Sequence, residues 1–178
     1  MKRLIAAAFA AGICIAPAAA ALKAGDTAPD FTAPASLGGK EFSFALADAL
    51  KQGPVVLYFY PAAFTTGCTI EAHEFADAID KYTALGATVI GVSHDDIATL
   101  DKFSTSACRS KFAVAADTDQ HIMKSYDAVL ARNPAYANRT SYVIAPDGHV
   151  LYAYTDLDPS KHVQNTLAAL ASWKAGQH

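Results

Sequence analysis

The chain lacks the features that mark a nucleic-acid-binding or multidomain protein. Its 178 residues carry 14 Lys and Arg against 17 Asp and Glu, a formal net charge of −3. A balance this close to neutral favours neither nucleic acid nor an anionic membrane surface as a partner. The sequence also shows no internal repeat, low-complexity tract or interdomain linker. These absences favour a single domain.

The longest uncharged apolar run of the chain lies at its N-terminus. There, Lys2 and Arg3 precede an uncharged apolar run over 4–15, and small residues follow over 18–21. This order of charge, apolar run and small residues is typical of a secretory signal peptide. The sequence therefore predicts a signal peptide over 1–21.

The alternatives to a cleaved signal are a membrane anchor and a lipoprotein. The apolar run is too short for a stable bilayer span, and Ile13 stands before Cys14 where a lipoprotein would have a small residue. We therefore expect a periplasmic or secreted mature chain over 22–178, with no membrane attachment after cleavage. Loss of the two N-terminal cations would take its formal charge from −3 to −5. Its ~155 residues suit one domain with a substantial core.

Cysteine is rare, and its scarcity is informative. With Cys14 removed, only Cys68 and Cys108 remain. An even pair in an oxidising compartment can form a disulfide. A permanent crosslink over this separation would stabilise the fold by about 4 kcal/mol in the chain-entropy model. The count alone leaves a structural disulfide and a redox pair equally open.

Hydrophobic periodicity predicts an α/β domain. Turn residues over 25–31 and 37–40 indicate a hairpin before the main sheet. Continuous apolar runs predict buried strands, and helical spacing of apolar residues predicts the helices between them. The predicted strands are 55–60, 88–93, 112–115, 140–144 and 150–154, and the predicted helices are 45–52, 68–85, a helix from 97 to about 108, 117–126 and 159–174. This order is that of a thioredoxin-like fold, a mixed central sheet flanked by helices with an N-terminal β-hairpin extension.

The strongest chemical signal is a P-x-x-x-T-x-x-C motif formed by Pro61, Thr65 and Cys68. It follows the predicted strand 55–60 and opens the predicted helix 68–85. Backbone N–H groups and the helix dipole at such a position favour the thiolate, which is the nucleophilic form of cysteine. The motif therefore predicts redox or nucleophilic chemistry at Cys68.

Several segments together resemble the peroxiredoxins, in the bacterioferritin-comigratory and peroxiredoxin Q branch of the AhpC/TSA-like thioredoxin-fold peroxidases. The resemblance runs from about Gly25 to the C-terminus. The segments that carry it are Gly25–Phe31, Tyr58–Ala72, Gly91–Ser93 and Arg139–Ile144, with Asp147 and Gly148.

The resemblance implies a thiol-dependent peroxidase that reduces hydrogen peroxide and organic hydroperoxides without a cofactor. It implies that Cys68 is the peroxidatic cysteine and that the Thr65 hydroxyl binds thiolate and peroxide. Pro61 would shield the pocket, and Arg139 would be the active-site cation. A thioredoxin-like dithiol protein would recycle the enzyme, and the protein would be a monomer or a weak homodimer.

Two residues depart from the pattern of this branch. His73 stands where the nearest resolving cysteine is usual, and Thr66 stands where many relatives have proline. Cys108 is then the remaining candidate for a resolving cysteine, because other members of the branch resolve from the helix after the second strand. The alternative is that Cys108 is a buried, inert residue.

Other interpretations of the same residues stay open. A thioredoxin-type oxidoreductase would need Cys-x-x-Cys, but Thr65 occupies the first cysteine position. A metal carrier would use Cys68 with His73 as the nearest second ligand. The run 94–96, His-Asp-Asp, suits a solvated loop with a helix cap better than a metal site. Glu71 is either an ordinary first-turn charge or a support for Arg139.

Overall fold

The computed structural model describes residues 21–177. The predicted signal peptide, apart from Ala21, lies outside the described residues. The described part forms one seven-stranded sheet and five α-helices. In chain order these are β1 Thr32–Leu37, β2 Lys40–Ala45, α1 Leu46–Leu50, β3 Val55–Phe59, α2 Thr66–Ala84, β4 Thr88–Ser93, α3 Ile97–Ser106, β5 Ala113–Ala116, α4 His121–Ser125, β6 Thr140–Ile144, β7 Val150–Thr155, a 3₁₀ turn Pro159–Lys161 and α5 His162–Ala175.

The strands lie in the order β2-β1-β5-β4-β3-β6-β7. The central strands β3, β4 and β5 are parallel, and the remaining pairs are antiparallel. The predicted hairpin is confirmed, and it extends the main sheet through pairing of β1 with β5. Its two-residue turn places Gly38 and Gly39 at φ of 58° and 75°, a left-handed conformation that glycine adopts without steric cost. The mixed sheet and its hairpin extension agree with the predicted fold.

Strand β3 shows how the sequence builds two cores. All five of its residues are buried, and successive side chains point to opposite faces of the sheet. Val55, Leu57 and Phe59 pack on one side with α1 and α4. Val56 and Tyr58 pack on the other side with α2, α3 and α5. Burial of each large apolar side chain stabilises the fold by roughly 1.5–3 kcal/mol, so β3 anchors both layers.

The elements agree with the prediction except near their ends. Helix α2 begins at Thr66, two residues before the predicted start, and α4 begins at His121 instead of residue 117. Asp117 precedes α4, and its carboxylate accepts hydrogen bonds from the amides of Ile122 and Met123. Helix α3 ends at Ser106, so Cys108 lies beyond it. No helix in residues 21–177 is both long and apolar enough to cross a bilayer.

Candidate active site

Cys68 is the third residue of α2, in the first helical turn and just beyond the end of β3. Its side chain is buried, with 1% of its surface exposed. The first N–H groups of any α-helix have no intrahelical acceptor, and the helix dipole places positive charge there. The fold therefore puts the predicted nucleophile where backbone donors stabilise negative charge on sulfur or on a bound oxygen.

Arg139 reaches the same point from the start of β6. Its Nη2 lies 3.5 Å from Cys68 Sγ, and its Nε donates to the Leu157 carbonyl at 2.9 Å. Its Nη1 donates to Glu71 Oε2. Burial alone would lower the pKa of Arg139, but Glu71 and Cys68 together have the larger, opposite effect, so the pKa is raised above its ordinary value. The guanidinium is therefore a fixed cation, aimed at the sulfur by two other contacts.

The sequence left open whether Glu71 is an ordinary helix charge or a support for Arg139, and its contacts distinguish the two. Its side chain is fully buried and forms a salt bridge with Arg139. Burial raises the pKa of Glu71, and the charge of Arg139 and its hydrogen bond oppose this rise. Glu71 is thus a buried partner of Arg139 and not an ordinary first-turn charge.

Gly67 is a functional position that sequence reasoning missed. A Cβ atom built on Gly67 would lie 3.0 Å from Arg139 Nη2. Such a distance is shorter than ordinary van der Waals contact. A side chain here would press on the guanidinium, so glycine keeps the path from Arg139 to Cys68 open. The Gly67-Cys68 dipeptide was the available signal, but its meaning depends on where Arg139 lies.

The loop before α2 is held by the turn after β4. His94 Nδ1 lies 3.2 Å from the Pro61 carbonyl oxygen and donates to it, and Asp95 accepts a hydrogen bond from the Ala63 amide at 2.7 Å. Asp96 caps α3 by accepting from the Thr99 amide. The predicted helix cap is therefore confirmed. The neighbouring His94 and Asp95 also fix the conformation of the Pro61 loop.

Thr65 immediately precedes α2 and is exposed. Its hydroxyl donates to the Ala62 carbonyl at 3.0 Å. Its predicted contact with thiolate and peroxide stays a prediction, as does the shielding role of half-buried Pro61. Between them Phe64 has a φ of 63°, which is unusual for a large side chain. Strain of this kind concentrates at functional sites.

Cys108 is fully buried and is a free thiol, as is Cys68. The two cysteines belong to the same cluster of buried residues on one side of the sheet. Burial raises the pKa of Cys108 well above its ordinary value. Burial raises the pKa of Tyr58 in the same cluster well above its ordinary value, and the proximity of Cys108 and Cys68 raises it further. The Tyr58 hydroxyl finds no hydrogen-bond partner among the described residues.

His73 lies on α2 and is half-buried. Within residues 21–177, no group of three or more His, Cys, Asp and Glu side chains is arranged to hold a metal ion. The arrangement at Cys68 instead combines a buried sulfur, a fixed cation and the N-terminal turn of a helix. These are the groups that an attack by sulfur on an electrophilic oxygen requires.

Comparison with known proteins gives one consistent result. The AhpC/TSA family model matches residues 24–153. Chloroplastic peroxiredoxin Q of Oryza sativa subsp. japonica is 34% identical over 149 residues, which cover 83% of this chain and 66% of that protein. Chloroplastic peroxiredoxin Q of Sedum lineare is 32% identical over 151 residues, covering 84% of this chain and 78% of that protein. The chain spans about two thirds of the length of the rice and wheat relatives, 66% and 64%.

Among solved structures, peroxidoxin BcpB from Mycobacterium tuberculosis superposes with a TM-score of 0.76 at 30% identity, covering 85% of this chain and 97% of that one. The family match includes Cys68, Glu71 and Arg139. Since it extends over more than half of the residues and the fold agrees as well, the chain belongs to the AhpC/TSA family, in its peroxiredoxin Q branch.

Proposed function

We propose that the protein is a thiol-dependent peroxidase that reduces hydrogen peroxide and organic hydroperoxides at Cys68. The observation that carries the proposal is the approach of Arg139 Nη2 to within 3.5 Å of Cys68 Sγ. Arginine stays charged and presents several donors in a rigid fork. One fork can therefore contact both the attacking sulfur and a peroxide oxygen.

In the first step the Cys68 thiolate attacks one oxygen of the hydroperoxide. A sulfur–oxygen bond forms and the oxygen–oxygen bond breaks. The second oxygen leaves with the electron pair and takes up a proton, giving water or an alcohol. Charge develops on that leaving oxygen, so donors fixed beforehand by Arg139 and by the first turn of α2 lower the barrier. The product is a sulfenic acid on Cys68.

Cys108 is the proposed resolving cysteine. Its thiol attacks the Cys68 sulfenic acid, a sulfur–sulfur bond forms, and water leaves. Disulfide geometry requires the two Cα atoms to lie within about 7 Å. We propose that local unwinding of α2 or movement of the turn after α3 brings the two buried thiols into that geometry. A thioredoxin-like dithiol protein then reduces the disulfide by thiol–disulfide exchange.

The proposed location is the periplasm or the cell exterior. Its support is the order of charge, apolar run and small residues over 1–21. The proposed assembly is a monomer or a weak homodimer.

The central test is Cys68→Ser. Serine supplies no comparable nucleophile at neutral pH, so peroxide consumption should fall to the uncatalysed rate. The matched control is Cys108→Ser, which removes the other buried thiol but should leave the first reduction of peroxide intact. Peroxide loss is followed at limiting peroxide with both variants shown to be folded. Consumption by Cys68→Ser at the parent rate contradicts the proposed function.

A further inference from the structure

A buried histidine lies directly behind the Arg139–Glu71 pair. His162 is the first residue of α5, and its side chain is fully buried. Its Nδ1 lies 2.8 Å from the Ser141 hydroxyl oxygen, and its Nε2 lies 2.9 Å from the Asp156 carbonyl oxygen. The same Nδ1 lies 3.7 Å from Glu71 Oε1. A continuous row of contacts therefore joins the Cys68 sulfur to α5 through Arg139 and Glu71.

The hydrogen bonds fix the protonation pattern of the neutral ring. A carbonyl oxygen only accepts, so Nε2 carries the proton and donates to Asp156. Nδ1 then accepts from the Ser141 hydroxyl. In this state Glu71 Oε1 has no hydrogen-bond partner among the described residues. A buried carboxylate oxygen without a partner is unfavourable. A proton on Nδ1 would place a charged donor opposite that oxygen.

Several other groups face this pair. Around Glu71, Glu74 raises its pKa, and the buried hydroxyls of Tyr58 and Tyr82 also lie within its electrostatic influence. All three are neutral or of the same sign as Glu71. Arg139 is therefore the cation that balances Glu71 while His162 is neutral.

The surroundings of His162 act in both directions. Burial is the main cause that lowers the pKa of His162, and Arg139 also lowers it. The Asp156 carbonyl and the charges of Asp156 and Asp158 raise it. The Tyr154 ring packs edge-on at 4.8 Å. The imidazole of His162 is therefore neutral near pH 7, and Nδ1 gains a proton on acidification.

We propose that His162 is a positioning residue of this site and makes the first oxidation step sensitive to acid by acting through Glu71 on Arg139. The inference rests on the proposed peroxidase function. While His162 is neutral, Glu71 holds Arg139 alone and fixes its aim at Cys68. When Nδ1 gains a proton, Glu71 is shared between two cations that repel each other. The salt bridge between Glu71 and Arg139 then weakens, and the first oxidation of Cys68 slows.

The test compares the parent with His162→Gln. Glutamine can still donate to the Asp156 carbonyl, but it cannot gain a charge. The rate of peroxide consumption in a single turnover is measured from about pH 5 to about pH 8, the range over which histidine titrates. Loss of the His162 imidazole should slow the variant about tenfold at about pH 8, because a small displacement of Arg139 from its position beside Cys68 reduces the rate strongly. The parent should lose more rate on acidification than the variant.

The matched control is Thr166→Val. Thr166 is buried one turn further along α5. Its hydroxyl bonds to Tyr82 at 2.7 Å and donates to the His162 backbone carbonyl at 2.8 Å, so its loss perturbs the same turn of α5 without removing the His162 ring. This variant should have a lower unfolding midpoint but the pH profile of the parent. Parallel profiles for the parent and His162→Gln would show that His162 is only structural and would overturn the inference.

If His162→Gln does not fold, Ser141→Ala tests the same inference. It removes the donor to Nδ1 but keeps the ring, so Nδ1 faces only Glu71 and its proton binds more readily. The acid loss of rate should then begin at a higher pH than in the parent, and an unchanged profile contradicts the inference. Failure of the proposed function is distinguishable, because a parent that consumes no peroxide contradicts both proposals. An active parent with unchanged profiles contradicts only this one.

Discussion

Arg139 is the side chain that connects the parts of the candidate site. It is buried, and each branch of its guanidinium has a different partner, namely the Leu157 carbonyl, Glu71 and Cys68. Two of these contacts fix its direction and the third delivers its charge to the sulfur. A flexible lysine ammonium could supply the charge but not the fork geometry.

Arg139→Met tests this role. The substitution keeps a long buried side chain but removes the cation and all three donating nitrogens. The first oxidation of Cys68 should slow by about 10²-fold or more, the effect of deleting a preorganised donor from a transition state. The measurement is rapid-quench oxidation followed by mass determination of Cys68.

Arg109→Met is the matched control for that experiment. Arg109 is exposed and pairs with Asp77 on the surface of α2, where an ion pair contributes little to stability. Its loss should leave the oxidation rate unchanged. If both arginine variants oxidise at the parent rate, Arg139 has been assigned the wrong role.

At the scale of elements, the turn between α3 and β5 holds Cys108 in its buried position. Arg109 and Ser110 follow Cys108 with φ of 50° and 57°, a conformation that costs energy for residues other than glycine. The Cys108 amide bonds to the Phe103 carbonyl, and its carbonyl accepts from the Lys111 amide. The turn is thus a short, strained segment that holds a buried thiol between two regular elements.

Cys108→Ser tests whether this turn supplies the resolving thiol. The first reduction of peroxide should proceed, because it needs only Cys68 and its pocket. The variant should then accumulate sulfenic acid, trappable by a dimedone-type reagent, and should over-oxidise more readily than the parent. Turnover with a dithiol reductant protein should fall.

The complementary measurement uses the parent protein. Non-reducing digestion after one equivalent of peroxide should yield a peptide linked through Cys68 and Cys108. If no such peptide forms, Cys108 is an inert core residue and the resolving thiol comes from a partner molecule.

At the scale of the whole molecule, the sheet separates two cores, and the segment before β1 closes one of them. Leu22 and Ala28 pack in the core that contains Leu57 and Phe59. The same segment forms backbone hydrogen bonds with the β6–β7 turn, from Gly25 to Val150, from Val150 to Asp26 and from Ala28 to Gly148. The segment that follows the predicted domain start at residue 22 therefore contributes apolar packing and backbone hydrogen bonds to the fold.

Trimming the chain tests that boundary. A protein of residues 22–178 should unfold cooperatively and consume peroxide. A protein of residues 30–178 should be less stable by about 2–4 kcal/mol, because it loses buried apolar surface and three backbone hydrogen bonds. The check is chemical denaturation of both proteins. Equal midpoints would place the domain boundary beyond residue 29.

Local sequence patterns predicted the elements because each pattern reflects a local physical cause. The apolar run over 55–60 predicted β3, and a glycine pair predicted the hairpin turn between β1 and β2. The motif of Pro61, Thr65 and Cys68 predicted a reactive cysteine at a helix start. The start of α4 was displaced because Asp117 accepts hydrogen bonds from the amides of Ile122 and Met123, which leaves residues 117–120 outside the helix. Helix α2 begins two residues earlier than predicted, and no side-chain cap explains that shift.

The resemblance to a family, and not the local pattern, indicated Arg139. The sequence left open the role of Glu71 and whether Cys108 is buried, and sequence reasoning did not single out Gly67 or His162. Each of these depends on pairing between distant segments, because antiparallel pairing of β3 with β6 brings residue 139 beside α2, and α5 then closes over both. Local propensity determines which element a residue joins, but only strand register and helix packing determine which buried charges meet.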